Sequence, residues 1–334
     1  MCRPGFRTFE SAFRSARHSA PFRPTKQAPF RAYRQVRFGD KSPQHGRTAF
    51  ASNLFRRWAA RPTFYRDVGL ISLGTGGAYV YNLEEVPISG RRRFNIISPR
   101  IEAQIGAATV GEVQQQYQGQ MLPEWDQRVR SVKKVLERLI PFAEQAGLHD
   151  VEWEIHVIDS PEQNAFVAPG GKVFVFTGIL PLCQDENGIA AVLGHEIAHV
   201  VAHHTAEKLS QAPFVLLGVL ALMTFDLSFQ LSSAVLNLFL SMPAGRKQEA
   251  EADQIGLMIM AEACFRPEAA MEFWHRMETA GGSGPPELLS THPSHHNREE
   301  KIREWLPKAH EQAELSECHA TSLYAQQFNN FRGR

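Results

Sequence analysis

Apolar positions along this 334-residue chain follow two periods. Ile189, Val192, Leu193, Ile197, Val200 and Val201 recur at helical spacing, which predicts a helix with a buried stripe. Asp185 supplies its N-cap, and Pro213 is expected to stop it near Gln211. A second helix is predicted from Arg246 onward, with Ile255, Met258 and Ile259 facing a core. Residues 112–147 also read as helical, with Val129, Val132, Val135, Leu136 and Leu139 on one side. A period of two appears over 152–158, and a second strand is expected over 172–176, after the turn Pro169-Gly170-Gly171. Helices with a small β-sheet make the expected class α+β, mostly helical. There is no internal repeat and no phosphate-binding loop.

The first helix carries His195-Glu196-Ile197-Ala198-His199. Histidines four apart share a helix face, so both imidazoles can reach one metal ion, while the intervening glutamate lies where it can take a proton from an attacking water. Two ligands and a general base from one helix is the zinc-peptidase arrangement. Two ordinary histidines on an amphipathic helix are the bland alternative, so the reading turns on a third ligand.

Catalytic zinc takes three protein ligands and keeps one position for water. His203 is four residues past His199 but two turns from His195, about 12 Å along the axis; His203 and His204 are therefore assigned to a polar face. The better source is Glu249-Ala250-Glu251-Ala252-Asp253 on the second helix. Glu249 and Asp253 share a face, and Glu251 is rotated roughly 200° away from Glu249. Glu249 is assigned as the ligand and Asp253 as the hydrogen-bond acceptor behind a ligand histidine. A solvated acidic helix face is the alternative for such a segment taken alone.

With these residues in place, the chain resembles the membrane-associated gluzincins that include the CAAX prenyl proteases and the HtpX-type bacterial stress proteases. The likeness spans about residues 80–310. It rests on the two zinc segments, on 164–175 (a strand-turn-strand element before the HExxH helix), and on Ser290-Thr291-His292-Pro293 with Arg298. Arg93-Phe94-Asn95, Trp153-Glu154-Ile155-His156-Val157 and Ala263-Cys264-Phe265 narrow it to the mitochondrial inner-membrane branch whose activity overlaps that of the m-AAA protease, in its fungal form. The resemblance implies a zincin-like domain with one Zn2+ per chain. It further implies that His292 and Arg298 stabilise charge developing on the substrate, and that the strand edge near Asn164, Ala165 and Phe166 binds substrate as an added strand.

Charge changes the picture at the N-terminus. Residues 1–62 hold 12 Arg and 2 Lys against Glu10 and Asp40, so the overall net charge of +1 conceals a strongly basic arm. Rich in Arg, Pro, Phe and Ser, and without the apolar core of a secretory signal, the arm has transit-peptide composition; a nucleic-acid-binding arm is the rival, and no nucleic acid is expected. Cys2, Cys183, Cys264 and Cys318 are scattered, which fits neither a zinc ribbon nor a disulfide framework. Buried free thiols are expected, with a redox-sensitive Cys183–Cys264 pair as the alternative.

Two apolar stretches remain. Residues 68–81 would span about 21 Å as a helix against a hydrocarbon core of about 30 Å, and the resemblance favours a single anchor there. Residues 213–240 are long enough to span, yet a crossing would separate His195 and His199 from Glu249. A hairpin at the membrane surface, with Asp226 near its bend, fits better, and an internal core helix is the alternative. The expected plan is a transit segment (1–62), an anchor and linker (63–90), a metalloprotease domain (91–310) and a C-terminal tail (311–334). The expected function is ATP-independent, zinc-dependent endoproteolysis of misfolded or inner-membrane polypeptides, with the catalytic domain in the intermembrane space and self-association left open. A zinc-stabilised scaffold without turnover is the alternative.

Overall fold

The computed structural model describes residues 56–86, 88–149, 151–223, 228–236, 242–280, 287–292, 297–316 and 318. All lie in the unit Arg47–Arg334. Most of the basic arm, the expected bend around Asp226 and the tail past Cys318 fall outside them.

Helix α1 (Phe64–Tyr81) leads into an antiparallel pair, β1 (Leu83–Glu85) and β2 (Arg92–Phe94). No residue of α1 is buried. Among the described residues no helix is long and apolar enough to cross a membrane. The expected helical stretch 112–147 is divided between α2 (Pro99–Gln116) and α3 (Gln127–Gln145). Gly119 at φ +79° and Pro123, which has no N–H to donate, interrupt it, and Asp126 restarts it by accepting from the Arg128 amide at 2.8 Å. Val129, Val132, Val135, Leu136 and Leu139 form the buried face of α3, as their spacing predicts.

Strands β3 (Glu154–Ile158), β4 (Ala165–Ala168) and β5 (Lys172–Phe176) make a sheet of order β3-β5-β4. β5 runs parallel to β3 and antiparallel to β4, and its central place accounts for the burial of Val173, Phe174, Val175 and Phe176. The β4–β5 turn needs its glycines: Gly171 sits at φ +79°, and a Cβ there would fall 2.4 Å from Val151.

After the short helix α4 (Leu180–Cys183), Asp185 caps α5 (Glu186–Val201) by accepting from the Gly188 amide at 2.9 Å. α5 does not continue to Gln211. It ends at Ala202, His203 takes a left-handed φ of +47°, and α6 (His204–Met223) sets off afresh. Nor does Pro213 stop the chain: it lies inside α6, where it removes one backbone hydrogen bond without ending the helix.

α7 (Phe229–Leu236), α8 (Met242–Glu262), α9 (Glu268–Thr279), α10 (Glu287–Thr291) and α11 (Arg298–Leu315) follow. α5 is the centre of the molecule, packed by α3, α8, α9 and β4. The main core gathers these helices with one face of the sheet; a smaller cluster of Val113, Ile158, Ala168, Phe174 and Phe176 lies under α2 on the other face.

The cysteine expectation is corrected. Cys264 and Cys318 form a disulfide across 54 residues, because α11 packs back along α8 and brings the two Cα atoms to 5.3 Å. Among the described residues Cys183 is the free, buried thiol, and burial pushes its pKa up to about 12.

Candidate metal centre

Glycine lets the two halves of the site meet. α5 and α8 cross with Gly194 against Gly256, where a Cβ on Gly256 would fall 2.7 Å from the Gly194 carbonyl carbon. The crossing adjoins His195, and Glu249 lies two turns back along α8. The close approach brings Glu249 under both histidines of α5.

His195 Nε2 and His199 Nε2 are 3.1 Å apart. Glu249 Oε2 lies 3.4 Å from the first and Glu249 Oε1 3.6 Å from the second. His292, just past α10, adds its Nδ1 at 3.3 Å from His195 Nε2 and 3.1 Å from Glu249 Oε2. The four groups offer donor atoms that all lie within 4.8 Å of one another. A tetrahedral zinc with bonds of about 2.0–2.1 Å sets its ligands about 3.3 Å apart, which is this spacing.

Proton bookkeeping points the same way. His195 Nδ1 faces Asp253 Oδ1 at 2.9 Å and His199 Nδ1 faces His204 Nδ1 at 2.7 Å. A neutral imidazole has one N–H, and with that proton on Nδ1 its Nε2 is a bare lone pair. Two such lone pairs and a carboxylate converging in a buried space repel unless a positive charge sits among them, either a metal ion or, in the metal-free protein, a proton held by His195. The donor set fits zinc.

The two ligand histidines have different backing. Asp253 is gripped by Arg298, whose Nε and Nη2 each reach it at 2.7 Å, and the guanidinium lies 3.4 Å over the Trp274 ring. Burial opposes a charge on His195, but hydrogen bonds to Asp253 and Glu249 outweigh it and raise its pKa to about 9. His199 is lowered well below the ordinary histidine value, by burial and then by its neighbour His195. Burial likewise opposes the Glu249 carboxylate, yet hydrogen bonds from His195 and His292 hold it far below the usual range.

Glu196 is buried beside the cluster. Its Oε1 makes no hydrogen bond among the described residues and lies 3.4 Å from His292 Nε2. An unpaired buried carboxylate oxygen is costly to maintain, and at a metal site it is the atom suited to receive a proton.

The structure therefore brings His195, Glu196, His199, Glu249 and His292 together, with Asp253 directly behind His195. Arg298 lies one step further out: both bonded nitrogens face Asp253, and Nη2 is 3.8 Å from Glu249. Asn164, Ala165 and Phe166 are outside the cluster, at the start of β4, which packs on α5 and ends the sheet order.

Sequence reasoning missed His204 and Glu251. His204 is not a polar-face residue: it is 1 % exposed, with Nε2 at 2.9 Å from Glu251 Oε2. His203 pairs instead with Glu102, at 2.6 Å. Glu251 is off the ligand face, as its rotation predicts, but it is buried rather than solvated.

Comparison with known proteins identifies the family. Residues 126–306 match the model of peptidase family M48. The chain is similar to the mitochondrial metalloendopeptidase OMA1 of Schizosaccharomyces pombe, 48% identical over 254 residues that cover 75% of this chain and 74% of that protein. It is similar to the protein of the same name from Saccharomyces cerevisiae, 40% identical over 264 residues (75% and 76% of the two chains). With the human mitochondrial metalloendopeptidase OMA1 the identity is 37% over 256 residues, 72% of this chain and 49% of that one. The chain belongs to peptidase family M48, and it is a zinc metalloendopeptidase.

Proposed function

We propose that this protein is an ATP-independent endopeptidase of the mitochondrial inner membrane, facing the intermembrane space, that cleaves misfolded or membrane-associated polypeptides in quality control and stress response. The observation that carries the reading is Glu196, buried with an unpaired oxygen beside the convergent His195, His199 and Glu249. A zinc-bearing scaffold would have no use for that carboxylate. The relatives' names support a mitochondrial location, and the lack of a phosphate-binding loop supports independence from ATP.

Zinc, when bound by His195, His199 and Glu249, supplies Lewis acidity to the scissile carbonyl and to water. Glu196 takes the proton of the attacking water and returns it to the leaving amine. His292 stands with Nε2 towards Glu196, where it is suited to stabilise negative charge developing on the substrate oxygen. Arg298, for which the resemblance implies a role in stabilising charge on the substrate, has two nitrogens bound to Asp253, so we assign it instead the orienting of His195 through Asp253. The outer edge of β4, beginning at Asn164, Ala165 and Phe166, takes the substrate as an added strand. Backbone hydrogen bonds then hold many sequences with little selectivity.

Membrane contact is assigned to two apolar surfaces. α1 exposes Leu70, Ile71, Leu73 and Val80, and α6 exposes Phe214, Leu216, Leu217 and Leu220. Tyr79 stacks on Phe94, which meets Phe214 edge-on, so the end of α1 is tied to the start of the second surface. Apolar patches of this extent mark interaction sites. The anchoring segment is placed in 63–90, with 213–240 touching the same membrane face.

Metal analysis and casein cleavage by wild type and Glu196→Gln test the mechanism together. The variant is expected to hold zinc and lose cleavage; wild-type turnover by Glu196→Gln refutes the assignment. Residues 1–62 fused to a reporter are expected to direct it to mitochondria, and a cytosolic or nuclear reporter refutes the targeting.

A further inference from the structure

His199 needs its proton on Nδ1 if Nε2 is to face the metal, and the group that meets Nδ1 is another imidazole. Only one proton fits in the 2.7 Å contact between His199 Nδ1 and His204 Nδ1. His199 donates it, so His204 Nδ1 is the acceptor and the proton of His204 resides on Nε2. That proton has a partner: Glu251 Oε2, at 2.9 Å. Glu251 in turn accepts from Arg91 Nε at 2.8 Å and from the Ser89 hydroxyl. The other two nitrogens of Arg91 hold Glu207 of α6 at 2.8 and 2.7 Å, and Gln248 of α8 donates to Glu207 at 3.0 Å. Each donor in the chain has an acceptor, and reversing the His204 tautomer would place two N–H groups head to head at one end and two acceptors at the other.

The break between α5 and α6 makes this possible. In a continuous helix His204 would be five residues past His199 and rotated about 140° from it. The left-handed His203 turns α6 back so that His204 meets the rear of the ligand ring. His204, Glu207 and Glu251 are all buried, so little water is at hand to substitute for a lost partner.

We propose that His204 is the positioning residue of His199, held in that role by Glu251 and Arg91, so that the segment between β1 and β2 takes part in retaining the metal. His204 contributes no donor atom to the ligand cluster. It acts by fixing the tautomer and plane of a ligand that does. Loss of a partner behind a ligand histidine typically lowers metal affinity by about 10–100-fold.

The test uses the full chain and four variants. Zinc affinity is measured by competition with a chromogenic chelator, and the visible spectrum of the Co2+-substituted protein reports the ligand field. Melting of the metal-stripped protein reports the fold. His204→Leu is expected to lower zinc affinity by at least tenfold and to shift the cobalt bands. His204→Asn, whose amide oxygen can still accept from His199 Nδ1, is expected to restore most of the affinity and the wild-type bands. Arg91→Met and Glu251→Gln act one step further out and are expected to weaken zinc by a smaller factor. Wild-type affinity and spectrum in His204→Leu overturn the proposal, as does an Asn variant no better than Leu. Should His204→Leu fail to fold, His204→Asn and Arg91→Met still decide: a weakened Asn variant with altered bands, or an Arg91→Met variant with wild-type affinity, overturns it.

Discussion

His195 and His199 sit one turn apart on the same helix, present the same ring atom, Nε2, to the cluster, and are supported in opposite ways. Behind His195 stands a carboxylate, Asp253, locked by two hydrogen bonds from Arg298, whose guanidinium lies over Trp274. Behind His199 stands a second imidazole, followed by Glu251, Arg91 and Glu207. The first support is short and drawn from α8 and α11; the second is long, and runs through α6, α8 and the segment before β2. A carboxylate at hydrogen-bond distance makes an imidazole more basic, in line with the raised pKa of His195, while burial leaves His199 the weaker base.

The largest effect leaves both supports untouched. Glu196→Gln removes a proton acceptor and no ligand or partner, so kcat for casein is expected to fall about 10²–10⁴-fold while zinc content, measured by atomic absorption, stays at one per chain. It sets the standard for the other variants: a loss of activity with the metal in place belongs to chemistry, and one that follows the metal belongs to the supports.

Next is the short support. Asp253→Ala takes both hydrogen bonds from the buried Arg298 and leaves Glu249, 3.8 Å away, as its nearest counter-charge, for which the expected cost is up to about 3–5 kcal/mol. Thermal melting should show a drop of several degrees even in metal-free protein. The long support is predicted to behave otherwise, with zinc affinity falling more than stability on loss of His204. If Asp253→Ala and His204→Leu lower melting temperature and zinc affinity in the same proportion, the contrast between the two supports is not real.

How much of this was legible in the sequence follows from how each residue is placed. That His195 and His199 converge with Glu249, and that Glu196 lies beside them, could be read because His195 and His199 share one helix face, Glu249 shares another with Asp253, and spacing fixes direction. Asp253 followed by the same rule. His292 lies just past α10 and Arg298 opens α11, and only the family resemblance pointed to them. His204 was misread because periodicity carried the helix straight through residue 202, and nothing in Ala202-His203-His204 announces a left-handed residue. Glu251 was correctly removed from the ligand face, but spacing within one helix says nothing about an arginine 160 positions earlier. The Cys264–Cys318 bond was hidden for the same reason. β5 and the buried face of α3 were visible because period and burial agree there; the division of 112–147 needed weight on Gly119 and Pro123.

Gly256→Ala tests what both supports share. Its Cβ would meet the Gly194 backbone at 2.7 Å, and backbone at a helix crossing has little room to yield. Overpacking of this kind costs about 1–3 kcal/mol. Because α8 carries Glu249, Glu251 and Asp253 together, prying it from α5 is expected to weaken zinc binding through both supports at once. Chelator competition and a melt on the same sample check this. Unchanged zinc affinity alongside a lowered melting temperature would mean that the crossing sets stability alone.

The smallest effect lies at the outer end of the long support and is best seen through pH. Glu207 is buried, which opposes its charge, but hydrogen bonds from Arg91 and Gln248 prevail and hold its pKa below the ordinary value. A carboxylate with a depressed folded-state pKa contributes stability that is present above its unfolded value, about 4.3, and is lost as pH falls through the folded one. Glu207→Gln keeps the size of the side chain and loses the charge that pairs with Arg91. The variant is therefore expected to be less stable than wild type at pH 7. The gap should narrow as pH drops below about 4.3, where the unfolded wild-type carboxylate takes up its proton, and should close as pH falls through the lower folded-state value. Urea unfolding of metal-free protein at several pH values measures it without interference from zinc loss. The narrowing should be smaller on an Arg91→Met background, where Glu207 keeps the Gln248 hydrogen bond but loses its cation. A gap that is constant with pH would place the stabilisation in packing of Glu207 rather than in its ion pair, and would detach the outer end of the long support from the electrostatics argued for it here.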